Sequence, residues 1–193
     1  GGDQLIAANV GARIHAAWIE GGAVLLSTSL DAGASWSVAT VLSGAESPSS
    51  LQLAVDGQTV LAAWIGNASG LGGSLHCTTS IDAGATFGAV VELATDAAFT
   101  PDICVSGPYM HCAWMRSVAG SQKVWVASST TTGASWNAGK PAYTTSENQS
   151  LPSIGCDEGN AWIALRQGSD HRVFTTHSSN AGFFFSSGVA RSS

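Results

Sequence analysis

The chain has little charge: of 193 residues, 7 are Lys or Arg and 13 are Asp or Glu, a net charge of −6. So few cations, outnumbered by acids, cannot form the basic footprint that a nucleic-acid partner requires. No run of about 18 apolar residues occurs, so no membrane-spanning helix is expected. The helical period of apolar residues is missing throughout, which removes helical fold classes. Cys77, Cys104, Cys112 and Cys156 lack CxxC spacing, and no His stands at a zinc-like interval, so neither a metal nor a cofactor is expected. They read as buried thiols, with three disulfide pairings open to them in a secreted protein. A Gly-x-Ser-x-Gly elbow, an HExxH helix and a phosphate loop are also missing. Disorder is excluded in turn, because 45% of residues are hydrophobic and seven are Trp.

What is present is a phrase that returns four times. It reads Ser29-Leu30-Asp31-Ala32-Gly33-Ala34-Ser35-Trp36, then Ser80-Ile81-Asp82-Ala83-Gly84-Ala85-Thr86-Phe87. Worn copies run from Ser129 through Gly133 to Trp136, and from Ser178 through Asn180 and Gly182 to Phe185. A fixed step near 50 residues means one supersecondary unit stacked repeatedly.

Each copy follows short apolar runs broken by Gly-containing turns, which predicts antiparallel hairpins. An Ala-Trp pair marks the second run, ending at Trp18, Trp64 and Trp114, with Leu165 in the fourth copy. His15 and His111 fall at matching places in that run and read as packing residues. A third run leads into the phrase and a fourth follows it, for example Ser37 to Leu42 and Gly88 to Leu93. Four strands per unit predict an all-β chain, a single β-propeller over residues 1–193 with four-stranded antiparallel blades at about 1–45, 46–96, 97–147 and 148–193. In the phrase, Gly permits positive φ at a tight turn, Asp accepts turn amides, and Trp or Phe buries a ring between blades. Thr131 and Asn180 replace the Asp, so those two turns are expected to be less firmly fastened.

The phrase resembles the Asp-box, or BNR repeat, of sialidase-like β-propellers, and its copies span the chain. The resemblance implies the hairpin and says little of activity, because sialidases, other glycoside hydrolases, carbohydrate-binding propellers, sorting receptors and assembly factors all carry it. Sialidases of that superfamily use three arginines, a Tyr paired with a Glu, an Asp acid/base and an Arg-Ile-Pro segment. Here Arg13, Arg116, Arg166, Arg172 and Arg191 lie outside such a context, and Tyr109 and Tyr143 have no obvious Glu partner. Glu20, Glu46, Asp102, Glu147 and Asp157 are scattered carboxylates, without a spacing that marks a glycosidase pair.

Binding is therefore expected on the rim opposite the phrase, in variable loops on a rigid scaffold. Those loops hold Glu20, Arg116, Lys123, Arg166, Asp170, His171 and Arg172, the candidate ligand contacts, along with the sequons at Asn67 and Asn148. Ring closure has three readings: a closed four-bladed ring, a half-ring completed by a second copy, or part of a longer chain. Self-association or a larger assembly ranks ahead of a closed monomer, because open ends expose apolar faces. The expectation is a non-catalytic, secreted or cell-surface propeller that binds a glycan or a protein partner. A glycoside hydrolase with rim carboxylates and a structural subunit assembling through blade faces are the rivals.

Overall fold

The computed structural model describes residues 4–44, 46–69, 72–186 and 189–190. Among them the regular structure is entirely strand: β1 (Leu5–Val10), β2 (Arg13–Glu20), β3 (Ala23–Ser29) and β4 (Thr40–Val41) form an antiparallel meander, unit 1. Next come β5 (Ser49–Asp56), β6 (Thr59–Ser69), β7 (Gly72–Ser80), β8 (Val91–Ser106), β9 (Tyr109–Val118), β10 (Ser121–Ser129) and β11 (Lys140–Pro141), joined in one seven-stranded sheet. Unit 4 is a second four-stranded meander of β12 (Gln149–Asp157), β13 (Asn160–Gln167), β14 (Arg172–Ser178) and β15 (Val189–Ala190).

Sheets of four, seven and four strands replace the expected four sheets of four. The cause is β8, whose first half pairs with β7 (Val91 opposite Cys77) and whose second half pairs with β9 (Val105 opposite Met110). It serves as the last strand of unit 2 and the first of unit 3. The long β6–β7 hairpin reaches along the joint, so Gly73 pairs with Ala98, which pairs in turn with Arg116. The pairing thus carries across with register shifts, between Leu75 and His76 on β7 and between Phe99 and Asp102 on β8, and positive φ at Ala97 and Thr100 accompanies them. A second correction concerns the fourth strands, expected to run from the phrase onward. β4, β11 and β15 are two residues each, and β8 begins only at Val91.

The core lies between successive units. Alternation on each strand sends one set of side chains to the preceding unit and the other to the following one. Ala17, Val24 and Leu26 of unit 1 meet Leu53, Val60, Ala62 and Trp64 of unit 2. Leu61, Ala63, Leu75 and Cys77 meet Met110, Cys112 and Trp114 of unit 3, and Ala113, Val124 and Val126 meet Ile154, Ile163 and Leu165 of unit 4. First strands neighbour one another in order, β1 on β5, β5 on β8 and β8 on β12, while β12 has no comparable contact with β1. The described units therefore form an open arc.

At the recurring turn two successive residues are left-handed, for example Ala32 at φ 56° and Gly33 at φ 92°. Asp31 fastens it: one carboxylate oxygen accepts from the Ser35 amide (2.8 Å) and the Ser29 hydroxyl (2.8 Å), the other from the Ser35 hydroxyl (2.6 Å). The Gly33 amide donates to the Ser29 hydroxyl oxygen at 2.8 Å. Asp82 repeats this with Ser80 and Thr86. Thr131 keeps the Ser135 amide at 2.9 Å with a hydroxyl, and Asn180 keeps the Phe184 amide at 2.9 Å with its carbonyl oxygen. The worn copies therefore hold the same turn without a charged acceptor.

Of the three pairings open to the cysteines, the fold selects Cys104–Cys156 and leaves Cys77 and Cys112 as buried thiols. The paired cysteines sit on β8 and β12, the adjacent first strands of units 3 and 4, with Cα atoms 5.9 Å apart. Closing a loop of 52 residues removes about 4 kcal/mol of unfolded-chain entropy in the loop-closure description. Replacing both with Ser should lower the unfolding free energy by about that amount in urea titrations, and reduction of the native protein should reproduce the loss.

The buried His111 and the turn carboxylates Asp31 and Asp82 set a pH dependence. Burial lowers the His111 pKa from 6.5 to about 4, so in that interval the unfolded chain alone takes up the proton and stability falls as pH drops. The Ser35 hydroxyl and amide lower Asp31 from 3.8 to about 2, and Thr86 does the same for Asp82. Their contribution is whole above pH 3.8 and is lost as pH falls toward 2. Calorimetric melting temperatures should decline through both windows. A double variant, Asp31→Asn with Asp82→Asn, should flatten the lower window and leave the upper one unchanged.

Candidate functional site

Two kinds of connection share each rim. The β1–β2 turn and the recurring turn lie together, as the Ala32 amide bonding to the Ala12 carbonyl shows. The β2–β3 hairpins and the joints between units lie at the other end, where the Asn67 amide bonds to the Glu46 carbonyl and the Gly168 amide to that of Asn148.

At this second rim an acid recurs at each joint: Glu46, Asp96 and Glu147, spaced by 50 and 51 residues. Each is tied to its own unit's hairpin. Glu46 accepts from the Trp64 ring N–H at 3.0 Å and lies 3.3 Å from His76 Nε2. Asp96 pairs with Arg116 at 2.8 Å. Glu147 accepts from the Gln167 amide at 3.0 Å and meets Arg172 Nη2 at 3.1 Å with both oxygens. The same period as the recurring phrase was the available signal for this series. It is hard to see in sequence, because Glu and Asp alternate and the partners differ in type and position.

The joint between units 3 and 4 opens into a cleft of about 490 Å³ between residues 147–150 and the hairpin tip 168–172, with Gln122 at its edge. Here Arg172 is the organising group: Nε meets Asp170 at 2.9 Å while Nη2 meets Glu147. Asp170 first, and Glu147 after it, raise the Arg172 pKa above its ordinary value. His171 stands exposed at the tip with φ 59°, made possible by the tight turn that closes β13 onto β14. Asn148, exposed at the cleft wall, accepts from the Gln122 amide at 3.1 Å through Oδ1. Beneath it Gln149 is fully buried and accepts from the Val124 amide at 3.0 Å. The cleft therefore presents part-exposed acceptors, a guanidinium and an imidazole on a fixed base. Such a set suits a ligand bearing several hydroxyls.

Of the seven residues expected to bind, Asp170, His171 and Arg172 come together here. The other four do not line this cleft. Arg116 and Lys123 are not in a loop: they face each other across the β9–β10 ladder, which runs to Val118 and Ser121. Arg116 stacks over Trp125 at 4.7 Å, while Lys123 Nζ donates to the carbonyls of Thr145 and Glu147 and so fixes the joint from below. Arg166 pairs within β13, opposite Val173 and Ser150. Glu20 lies on unit 1, where it accepts from the Trp18 ring N–H at 3.0 Å. The loops expected at 65–74 and 116–123 are mostly strand, because those hairpins extend their pairing almost to the tips, whereas 168–171 form the expected turn between β13 and β14. Glu147, counted among the scattered carboxylates, is the residue that draws the cleft together. Among the described residues no cluster of His, Cys, Asp and Glu is arranged to hold a metal.

No protein-family model and no curated protein sequence matches the chain. Solved structures do match its fold. A Hadza microbial sialidase superposes with a TM-score of 0.64 at 13% identity, covering 99% of this chain and 47% of its own length. The α-L-arabinanase of Penicillium chrysogenum, solved with arabinobiose, gives 0.58 at 15% identity over 95% of this chain and 65% of its own. Trypanosoma rangeli sialidase gives 0.60 at 14% identity, with coverage of 97% and 37%. The chain thus spans about half the length of these proteins.

Lys123 offers a direct check on how the cleft is supported. Replacing its ammonium with Met leaves two carbonyls without their donor, which should cost about 2 kcal/mol in chemical denaturation. Hydrogen-exchange protection should fall across residues 145–149 and not at the recurring turns. Architecturally, the described units share the β-propeller fold of these structures.

Proposed function

We propose that this chain is a non-catalytic carbohydrate-binding propeller, secreted or displayed at a cell surface, that takes a glycan in the cleft between units 3 and 4. The observation that carries the reading is the single guanidinium of Arg172 shared by Asp170 and Glu147 at 2.9 and 3.1 Å, on the rim opposite the fastened turns. A glycosidase needs one carboxylate free to give a proton to the leaving oxygen. Here both are engaged by one cation, whereas acceptors and donors fixed beside each other suit the paired hydroxyls of a sugar. The structural neighbours include a sialidase and an arabinanase, which supports a carbohydrate ligand. The Cys104–Cys156 bridge supports an oxidising compartment. In this reading the recurring phrase is an Asp-box serving as a fastener, with Ser29, Asp31, Gly33 and Trp36 and their counterparts apart from the ligand.

A glycan array followed by calorimetric titration tests the proposal. The native chain should bind at least one glycan class, and Asp170→Asn and Arg172→Met should each weaken that binding by about tenfold or more. Fluorogenic glycosides should be left intact. Hydrolysis that disappears in Glu147→Gln would replace this reading with the hydrolase.

A further inference from the structure

Trp64 and Trp114 hold equivalent places on the second strands of units 2 and 3, opposite His76 and Trp125 at the same step of the third strands. Both are at most 1% exposed. A buried ring N–H has given up water and needs an acceptor from elsewhere. In unit 2 the chain supplies it: Trp64 donates to Glu46 Oε1 at 3.0 Å, and the same carboxylate lies 3.3 Å from His76. In unit 3 it does not. The joint acid there is Asp96, one methylene shorter, and it turns outward to Arg116 Nη2 at 2.8 Å, where it is 66% exposed. Trp114 Nε1 is left buried without a hydrogen-bond partner among the described residues, and so is Arg116 Nε.

Trp114 and Arg116 both line a cleft of about 220 Å³ between units 2 and 3. Its other walls are residues 92–95 at the start of β8, Trp125 of β10, and Gly139. Gly139 is not left-handed, so no turn requires it. Its bareness gives room: a Cβ there would come within 2.5 Å of Trp114 Cη2 and 2.8 Å of Cζ2, the ring edge next to the N–H. The Arg116 guanidinium is stacked 4.7 Å over Trp125, which fixes Nε while Nη2 braces Asp96. Half-buried Leu93 and Ala94 give the cleft an apolar side, and the exposed Glu92 gives it an acid. The volume is below the roughly 300–1,000 Å³ of pockets that enclose drug-sized ligands, so only a small molecule fits.

We infer that this cleft binds a small zwitterionic α-amino acid. The ligand carboxylate takes the part that Glu46 plays in unit 2, accepting from Trp114 Nε1 and Arg116 Nε, and the ligand ammonium faces Glu92. Charge selects this class. Arg116 is already neutralised by Asp96 and Glu92 adds a further negative charge, so a plain anion is repelled, while a plain cation leaves both donors unmet. A zwitterion answers the donors and the acid together and brings no net charge. Leu93 and Ala94 suit a short apolar side chain such as that of alanine. The site lies at a different joint from the glycan cleft and does not depend on it.

Calorimetric titration with L-alanine, L-alanine methyl ester and N-acetyl-L-alanine tests the site. L-alanine should bind, while the ester, which lacks the carboxylate, and the N-acetyl form, which lacks the ammonium, should each bind about tenfold more weakly or worse. Asp96→Glu restores the length of Glu46 and should supply Trp114 with an acceptor from the chain itself, lowering L-alanine affinity by about tenfold or more. Glu92→Gln should weaken L-alanine to a similar degree and leave N-acetyl-L-alanine unchanged. Far-ultraviolet circular dichroism confirms that each variant is folded. A native chain that does not bind L-alanine overturns the inference, as does an ester or N-acetyl form that binds as tightly. Full L-alanine affinity in both folded variants overturns it as well, because the ligand would then sit elsewhere.

Discussion

The fold rests on the contact between one unit's turn glycine and the second and third strands of the unit before it. Gly84, Gly133 and Gly182 are all left-handed, and each leaves no room for a Cβ beside Thr28, Thr79 or Ser128. The two requirements reinforce one another: the turn needs positive φ to reverse the chain within two residues, and the junction needs its tip bare to bring the units close. Close approach then lets the Trp64, Trp114 and Leu165 layers bury themselves. Asp31 and Asp82 hold the turn in shape. Thr131 and Asn180 do so without charge, which is consistent with junction packing bearing most of the load in the later units.

The two rims divide the work by physics. At the turn rim, bonds close locally within each phrase. At the other rim, each joint acid reaches across to its unit's hairpin, and its partner can change from unit to unit. Trp64 and His76 serve Glu46, Arg116 serves Asp96, and Gln167 with Arg172 serve Glu147. A repeated scaffold with variable partners is the arrangement in which one joint can acquire a ligand cleft while the others remain braces. Lys123 marks the boundary between the roles, since it supports the joint from below without entering the cleft.

Much of this was legible from residue order. The period, the hairpins, the turn glycines and the rim bearing Asp170, His171 and Arg172 all depend on local pattern. The merged seven-stranded sheet was not legible, because continuity of β8 depends on how far the β6–β7 hairpin reaches along it. The loop placement of Arg116 and Lys123 failed for the same reason: a strand paired on both sides extends further than its composition indicates. Among the cysteines, the Cys104–Cys156 bridge required two first strands to be adjacent, a fact of packing between units 3 and 4.

The sequence by itself determined the repeat unit, its turn chemistry and the alternation that gives each strand two buried faces. These follow from φ preferences, hydrogen-bond capacity and side-chain period, which act within a few residues. Tertiary structure alone decided which charges meet, since Glu147 and Arg172 lie 25 positions apart and share a cleft only after unit 4 folds back on its joint. It also decided which equivalent residues are covered. Trp64 is buried because Ala17, Val24 and Leu26 of unit 1 pack in front of it.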